Sequence, residues 1–321
     1  MPDLDAVLKQ HATHSDINAD VAQAVNGLAI AAAAISKLIR SPDKAANLGA
    51  IRGSANADGD DQKALDVLAD DVITAQLRDA GVAIYLSEEQ EKPISLHDDG
   101  SLIVASDPLD GSSNIDTNVS IGTIFSIMPV AGGSLQCGRN QLAAGFFVYG
   151  PQTTLLLTLG DGVLAFQMDD DGCFCDMGWQ VGIPADTHEF GINASNHRHW
   201  HAPIKSYIDA CLDGHDGALN RNYNMRWVGS LVADAWRIFR RGGVFLYPAD
   251  RRDGYAHGRL RLVYEANPVA MLVEQAGGKA TDGSTAILDI QPQDLHERVA
   301  FIFGSKNEVD VIVSYHSNSQ T

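Results

Sequence analysis

The stretch that most constrains this chain is Ser106–Asp116, reading Ser-Asp-Pro-Leu-Asp-Gly-Ser-Ser-Asn-Ile-Asp. The apolar run Leu102–Ala105 before it is short enough to be a buried strand. Pro108 and Gly111 are expected to break that strand and set Asp107 and Asp110 on a tight loop at its carboxyl end. Gly111 lets backbone approach a ligand closely, and the amides of Ser112 and Ser113 open the next turn, where free N–H groups hold phosphate. Two carboxylates beside such a cradle repel a phosphate unless a cation lies between them. Hard divalent ions such as Mg²⁺ take oxygen ligands of this kind. Alone, Asp-x-x-Asp-Gly is more often a surface turn. Acidic residues at other element ends are what raise this one above that reading.

The rest of the composition narrows the partners. The 321 residues carry 23 Lys and Arg against 41 Asp and Glu, a formal charge of −18. Such a surface excludes the sequence-independent attraction on which nucleic-acid and anionic-membrane binding depend. A phosphate ester would have to be held locally, by a few arginines and bound cations. The length allows two domains or one large α/β unit with a sizeable core. Cys137, Cys173, Cys175 and Cys211 lack metal-type spacing and are too few for a disulfide scaffold. The Met-Pro-Asp-Leu-Asp start has neither a basic nor an apolar leader region, and no apolar run is expected to span a membrane. A cytoplasmic protein is the expectation.

In chain order, apolar steps from about Asn18 to Ile39 predict an amphipathic helix capped by Asn18 or Asp20. Gln62–Ala80 predicts a second, with Asp66 in its first turn, where the helix dipole favours negative charge. Val82–Leu86 reads as a strand running into Ser87-Glu88-Glu89, and Val119–Val130, Ala143–Leu159 and Gly162–Gln167 as further strands. A change of character at Gly182–Glu189 marks a domain boundary, giving an N-terminal unit of residues 1–185 and a C-terminal one of 186–321. Beyond it, Ser230–Arg241 reads as a helix, and Gly242–Pro248 as a turn into a buried strand. Arg259–Tyr264 alternates like a strand and ends at Glu265, before a helix with Asn267 at its cap and Pro268 at its first position. The His197–His201 run has neither helical nor zinc-type spacing.

Asp107–Asn114 with Val119–Phe125, Ser87-Glu88-Glu89, Gly59–Asp66, Val228–Asp234, Phe245–Ala249 and Arg259–Pro268 together resemble class I fructose-1,6-bisphosphatase. The resemblance runs from about Ala34 onward. It implies a layered α/β (α+β) fold, the five-layer α-β-α-β-α sugar phosphatase sandwich, and Mg²⁺-dependent hydrolysis of the 1-phosphate of fructose 1,6-bisphosphate, in gluconeogenesis or the Calvin cycle. By position it implies metal binding by Glu88, Asp107, Leu109, Asp110 and Glu265. It assigns catalytic roles to Asp66, Glu89 and Asp60, the last on a closing loop. Gly111, Ser112 and Ser113 would hold the 1-phosphate, while Asn193, Tyr247 and Arg259 grip the sugar and its distal phosphate. Arg226 would reach that phosphate from a neighbouring subunit of a homotetramer. Two or three Mg²⁺ per subunit are implied, with Mn²⁺ able to substitute. No nucleic acid or membrane partner is expected.

The chain departs from the family at several points. Arg259 stands where Lys is usual, Trp227 and Asn196 where Tyr is common. These changes could retune the distal end towards the longer sedoheptulose 1,7-bisphosphate, as an alternative or second substrate. AMP-inhibited members carry Thr-Gly-Glu and a Lys-Tyr pair where this chain has Asn18-Ala19-Asp20 and Ser101-Leu102. Weak or lost inhibition by AMP in the usual manner follows as an expectation. A catalytically silent sugar-phosphate sensor is the remote alternative.

Overall fold

Alternation along single strands explains how the layers of this molecule stack. The computed structural model describes residues 3–41, 51–55 and 61–318. In the C-terminal half, Phe245 and Phe303 turn to one core while their strand neighbours Val244, Leu246 and Ile302 turn to another. Side chains of successive strand residues point to opposite faces, so a sheet with both faces apolar must be covered twice. That sheet has five strands in the order β12 (Asn224–Met225), β11 (Glu189–Gly191), β13 (Val244–Tyr247), β17 (Phe301–Gly304) and β15 (Lys279–Thr281). Its outer cover is α4 (Ala202–Leu212) and α7 (Lys306–Asn318), through Tyr207, Ile208, Val309 and Ile312.

The larger sheet repeats the arrangement. Its eight strands run β10 (Phe174–Asp176), β9 (Leu164–Met168), β8 (Thr153–Thr158), β7 (Ala143–Tyr149), β6 (Ile121–Pro129), β5 (Leu102–Asp110), β3 (Ile84–Ser87) and β4 (Ile94–Ser95). One face packs against α1 (Leu4–Ala12), α2 (Asp16–Ile39) and α3 (Ala64–Asp79). From its other face Ile124, Phe146 and Leu156 meet α5 (Leu231–Arg241) and α6 (Asn267–Gln275), which in turn carry Phe245 and Phe303 of the smaller sheet. The order helix, sheet, helix, sheet, helix is the five-layer sandwich expected from the sequence.

Four local expectations are corrected. Ser15, not Asn18 or Asp20, caps α2: its hydroxyl accepts the Asn18 amide, so the helix starts at Asp16. The same helix is long and apolar enough to cross a membrane, against the sequence reading, but Val25, Leu28, Ala32 and Ile35 are buried against α3 and the large sheet. β5 does not stop at Ala105 but continues through Pro108 to Asp110. Arg259–Tyr264 gives a strand of only two residues, β14 (Leu260–Arg261), paired with β16 (Arg298–Val299). Leu262–Ala266 then widens into a single π-helical turn. A short helix, α1, precedes everything the sequence reading assigned.

Candidate metal centre

The end of β5 is irregular in a way that matters. Opposite β6, Asp107 faces Ile124 and Asp110 faces Gly122, so three steps on one strand match two on the other. In a regular strand, residues i and i+3 point to opposite faces. The one extra residue is a bulge, and it brings Asp110 round to the face of Asp107. Pro108 has no N–H to give the ladder and sits inside the bulge; its carbonyl accepts the buried Thr123 hydroxyl at 2.8 Å. The Leu109 amide donates to the Asp107 carboxylate at 2.9 Å, while its side chain enters the core under α2 and α3. Of Leu109, only backbone is available to a ligand here.

Glu265 comes from the opposite side. The π turn at Leu262–Ala266 carries it, and the Arg261 amide donates to its carboxylate. Carboxylate oxygens of Asp107, Asp110 and Glu265 lie within 4.8 Å of one another, and all three residues are buried. Glu88 and Glu89 follow β3, whose parallel register sets Ser87 beside Ser106 and therefore Glu88 beside Asp107. Both glutamates are near enough to act electrostatically on Asp107. Asp66 is buried in the first turn of α3. Asp60 lies outside the described residues.

Burial and mutual repulsion govern the charges. Burial first, then Glu88, Asp110 and Glu265, hold Asp107 well above the usual carboxylate range. Burial, followed by Glu88 and Asp110, does the same to Glu265. Asp110 is pushed up to about 6, mainly by burial, with the Val232 amide pulling the other way. Carboxylates crowded like this share protons or share a cation. Oxygen donors alone, no soft ligand and like charges at this spacing fit a hard divalent ion.

The turn after Asp110 sits beside the cluster in sequence. Gly111 has φ +78°, a left-handed conformation that favours glycine, and it opens the short 3₁₀ turn Ser112–Thr117. Asn114 ties this turn to the second half by donating to the Gly229 carbonyl at 2.9 Å. In the second half of the chain, Asn193, Asn196, Trp227, Tyr247 and Asp250 line one cleft. Trp227 stacks on Phe245 with ring centres 5.4 Å apart and tilts towards Tyr247 at 6.1 Å. Arg259 bonds the Tyr255 hydroxyl and acts electrostatically on Tyr247, as does Glu265, so Tyr247 links this cleft to the acidic cluster. Arg226 is exposed, 3.9 Å from Glu189, and is not among the residues lining that cleft.

Of two supporting groups, the sequence offers Arg261 as a candidate cation beside Arg226 and Arg259 and leaves Asp234 without a role. Arg261 is buried, and its guanidinium lies 3.6 Å from Glu88. Asp234 is buried under Asp110, where it accepts the Val228 and Gly229 amides at 3.1 and 3.2 Å and adds to the rise at Asp110. The turn chemistry of Gly229-Ser230 ahead of a helix was the available signal for it. His197 bonds Asp209 at 2.7 Å, which accounts for it structurally.

Comparison with known proteins gives concordant matches. A model described as "Fructose-1-6-bisphosphatase, N-terminal domain" matches residues 5–178, and one described as "Fructose-1-6-bisphosphatase, C-terminal domain" matches 183–317. The chain is 52% identical to a protein of Sinorhizobium medicae named fructose-1,6-bisphosphatase class 1, over 98% of this chain and 93% of that one. It is 53% identical to the protein of the same name from Azorhizobium caulinodans, over 98% of each. Among solved structures, Leishmania major fructose-1,6-bisphosphatase in holo form superposes with a TM-score of 0.90 at 33% identity, covering 98% of this chain and 99% of that one.

Proposed function

The chain belongs to the class 1 fructose-1,6-bisphosphatase family, and we propose on that premise that it hydrolyses the 1-phosphate of fructose 1,6-bisphosphate at the Asp107–Asp110–Glu265 cluster. The observation that carries this placement is the set of buried carboxylate oxygens within 4.8 Å, beside a turn that starts at a left-handed glycine. Magnesium is our reading of the metal, held by Asp107, Asp110, Glu265 and Glu88 with the Leu109 carbonyl available. When bound, such an ion neutralises phosphate charge and makes a nearby water more acidic.

The chain's own groups supply the rest. The Ser112 and Ser113 amides offer donors to the oxygens of the 1-phosphate, and the bulge fixes where those oxygens meet the carboxylates. Asp66 and Glu89 are the carboxylates we assign to taking a proton from the attacking water. Tyr247 and Arg259 hold the sugar and distal phosphate, with Asn193 in the same cleft. Arg259 presents a planar fork rather than the point charge of a lysine, which suits two phosphate oxygens at once. Closure through Asp60 is a reading from sequence alone.

We place residues 1–185 and 186–321 as its two units, which agrees with the residue ranges of the two family matches. A homotetramer is supported by Arg226, exposed beside the edge strand β12 and therefore placed to reach another copy. A cytoplasmic location is supported by four cysteines that are all free. Phosphate release from fructose 1,6-bisphosphate, with Mg²⁺ and then with a chelator, tests the function. Metal-dependent release yielding fructose 6-phosphate is expected; release undiminished by chelator would overturn the metal assignment, and no release would overturn the substrate.

A further inference from the structure

The two adjacent glutamates of the acidic group stand at the centre of a closed turn. Glu88 and Glu89 lie between Ser87, the last residue of β3, and Gln90, whose amide donates to the Ser87 carbonyl at 3.2 Å. A bond from the fourth residue back to the first makes a β-turn, and the turn sets the directions of its two central side chains. The Glu89 amide donates to the Ser87 hydroxyl at 3.2 Å, and the Glu88 amide continues the ladder to the Ser106 carbonyl at 3.1 Å. The sheet therefore fixes the first end of the turn. The second end is Gln90, and it is held twice.

Its side-chain amide donates to one Asp70 oxygen at 2.7 Å, while the buried Tyr85 hydroxyl donates to the other at 3.0 Å. Asp70 is buried on α3, four residues after Asp66, and residues at that spacing share one face of a helix. One carboxylate thus joins the helix of Asp66 to β3 and to the turn that follows it. The Gln90 carbonyl makes the second tie, to His296 Nε2 at 3.2 Å; a carbonyl only accepts, so Nε2 carries the proton. The His296 ring packs against Tyr264 with centres 5.4 Å apart, and Leu295 packs on the small core that holds Leu86, Val263 and Tyr264. Tyr264 directly precedes Glu265 in the π turn. Gln90 is tied to the segments that carry Asp66 and Glu265, one through each of its polar groups.

We propose that Gln90 is a positioning residue for the reaction, holding the Ser87–Gln90 turn so that Glu88 and Glu89 keep their aim at the acidic cluster. This rests on the assignment of both glutamates to the metal centre. The residue type fits the task. Glutamine satisfies the Asp70 oxygen with a neutral donor, whereas lysine would bring a competing cation and glutamate would set like charges face to face. Small displacements of aligned groups cost rate steeply, on the order of 10² for a shift of about 1 Å.

The test is a swap of donor and acceptor. In Gln90→Glu two carboxylates face one another and the side-chain tie is lost. In Asp70→Asn/Gln90→Glu the new amide donates to the new carboxylate, and its oxygen still accepts from Tyr85. Two readouts are taken on the full chain: steady-state phosphate release with Mg²⁺, and amide hydrogen exchange across residues 86–92 in chelator. Gln90→Glu should lose kcat at least about tenfold with KM held within about twofold, and its turn should exchange faster. Gln90→Ala, which only removes the donor, should fall between it and wild type. The double variant should return both readouts to within about threefold of wild type. Equal kcat in wild type and Gln90→Glu, or a double variant no better than the single one, would overturn the proposal. So would a lower melting temperature in Gln90→Glu with kcat per folded molecule unchanged, which would make Gln90 a structural contact only. Absence of phosphate release by the wild type would instead overturn the assigned reaction, while faster exchange in Gln90→Glu, restored in the double variant, would still support the hold on the turn.

Discussion

The Asp110 carboxylate accepts the Val232 backbone N–H at 3.0 Å, joining the end of β5 to the first turn of α5 across 122 positions of sequence. The bond holds Asp110 against the start of α5, with Ser230 and the Leu231 amide adding to it. Asparagine can keep the bond through its carbonyl oxygen while removing the charge. Asp110→Asn is therefore expected to fold, to lose activity by on the order of 10³ as a cation ligand is weakened, and to melt no lower than wild type in chelator. Steady-state kinetics and calorimetry check the two halves. A folded variant with near-normal turnover would remove Asp110 from the centre.

The raised carboxylates make the metal-free protein pH-sensitive in a definite direction. Asp110 titrates near 6 when folded, against about 3.8 when unfolded, and Asp107 and Glu265 are raised as well. Between the unfolded and folded values the native state holds more protons than the unfolded one. Stability therefore falls as pH rises through that window. In chelator, urea midpoints should be higher at pH 5 than at pH 7.5. Millimolar Mg²⁺ should raise the pH 7.5 midpoint by mass action on the native state. A chelated protein that gains stability between pH 5 and 7.5 would contradict the repulsion.

Much of this site could be read in the sequence because its residues stand where elements end. Asp107, Asp110, Glu88 and Glu265 all follow recognisable apolar runs, and the structure brings them to one place. What could not be read was registration. The Pro108 bulge that turns Asp110 to the face of Asp107 depends on the partner strand, which spacing along one segment does not reveal. The alternation at Arg259–Tyr264 suggested a longer strand, yet Glu265 is carried by a π turn that the alternation does not signal. Asp234 stands in the first turn of α5, and only burial beneath Asp110 reveals its part. Asn18 and Asp20 were plausible caps, but Ser15 reached the helix start first.

Arg261 is the cation within this acidic group, its guanidinium 3.6 Å from Glu88 and its amide bonded to Glu265. Breaking a buried ion pair from one side leaves the other charge uncompensated, at a typical cost of about 3 kcal/mol. Arg261→Met is expected to lose about that much stability in chelator, by urea denaturation. It should also bind Mg²⁺ more tightly, since a positive charge has gone. Arg261→Lys should fall between. A variant as stable as wild type, with unchanged Mg²⁺ affinity, would show that Arg261 only fills space.

Near the start of α2, the Asp20 carboxylate accepts the Ser101 hydroxyl, tying the helix to the beginning of β5. By the resemblance, AMP-inhibited members carry Thr-Gly-Glu and a Lys-Tyr pair at these positions, so this chain has Asn18 in place of the threonine hydroxyl and Ser101 in place of the lysine ammonium. An anion approaching this point meets a fixed negative charge with no lysine at position 101 to offset it. Activity should change by less than twofold at 1 mM AMP, a concentration set on the order of ordinary metabolite levels. The single change Ser101→Lys should not by itself create inhibition while Asn18 stands where those members have a threonine hydroxyl. Asn18→Thr/Ser101→Lys is the variant in which an AMP response would first be measurable, by phosphate release against AMP concentration. Inhibition of the wild type at micromolar AMP would mean that the nucleotide is held by groups other than these.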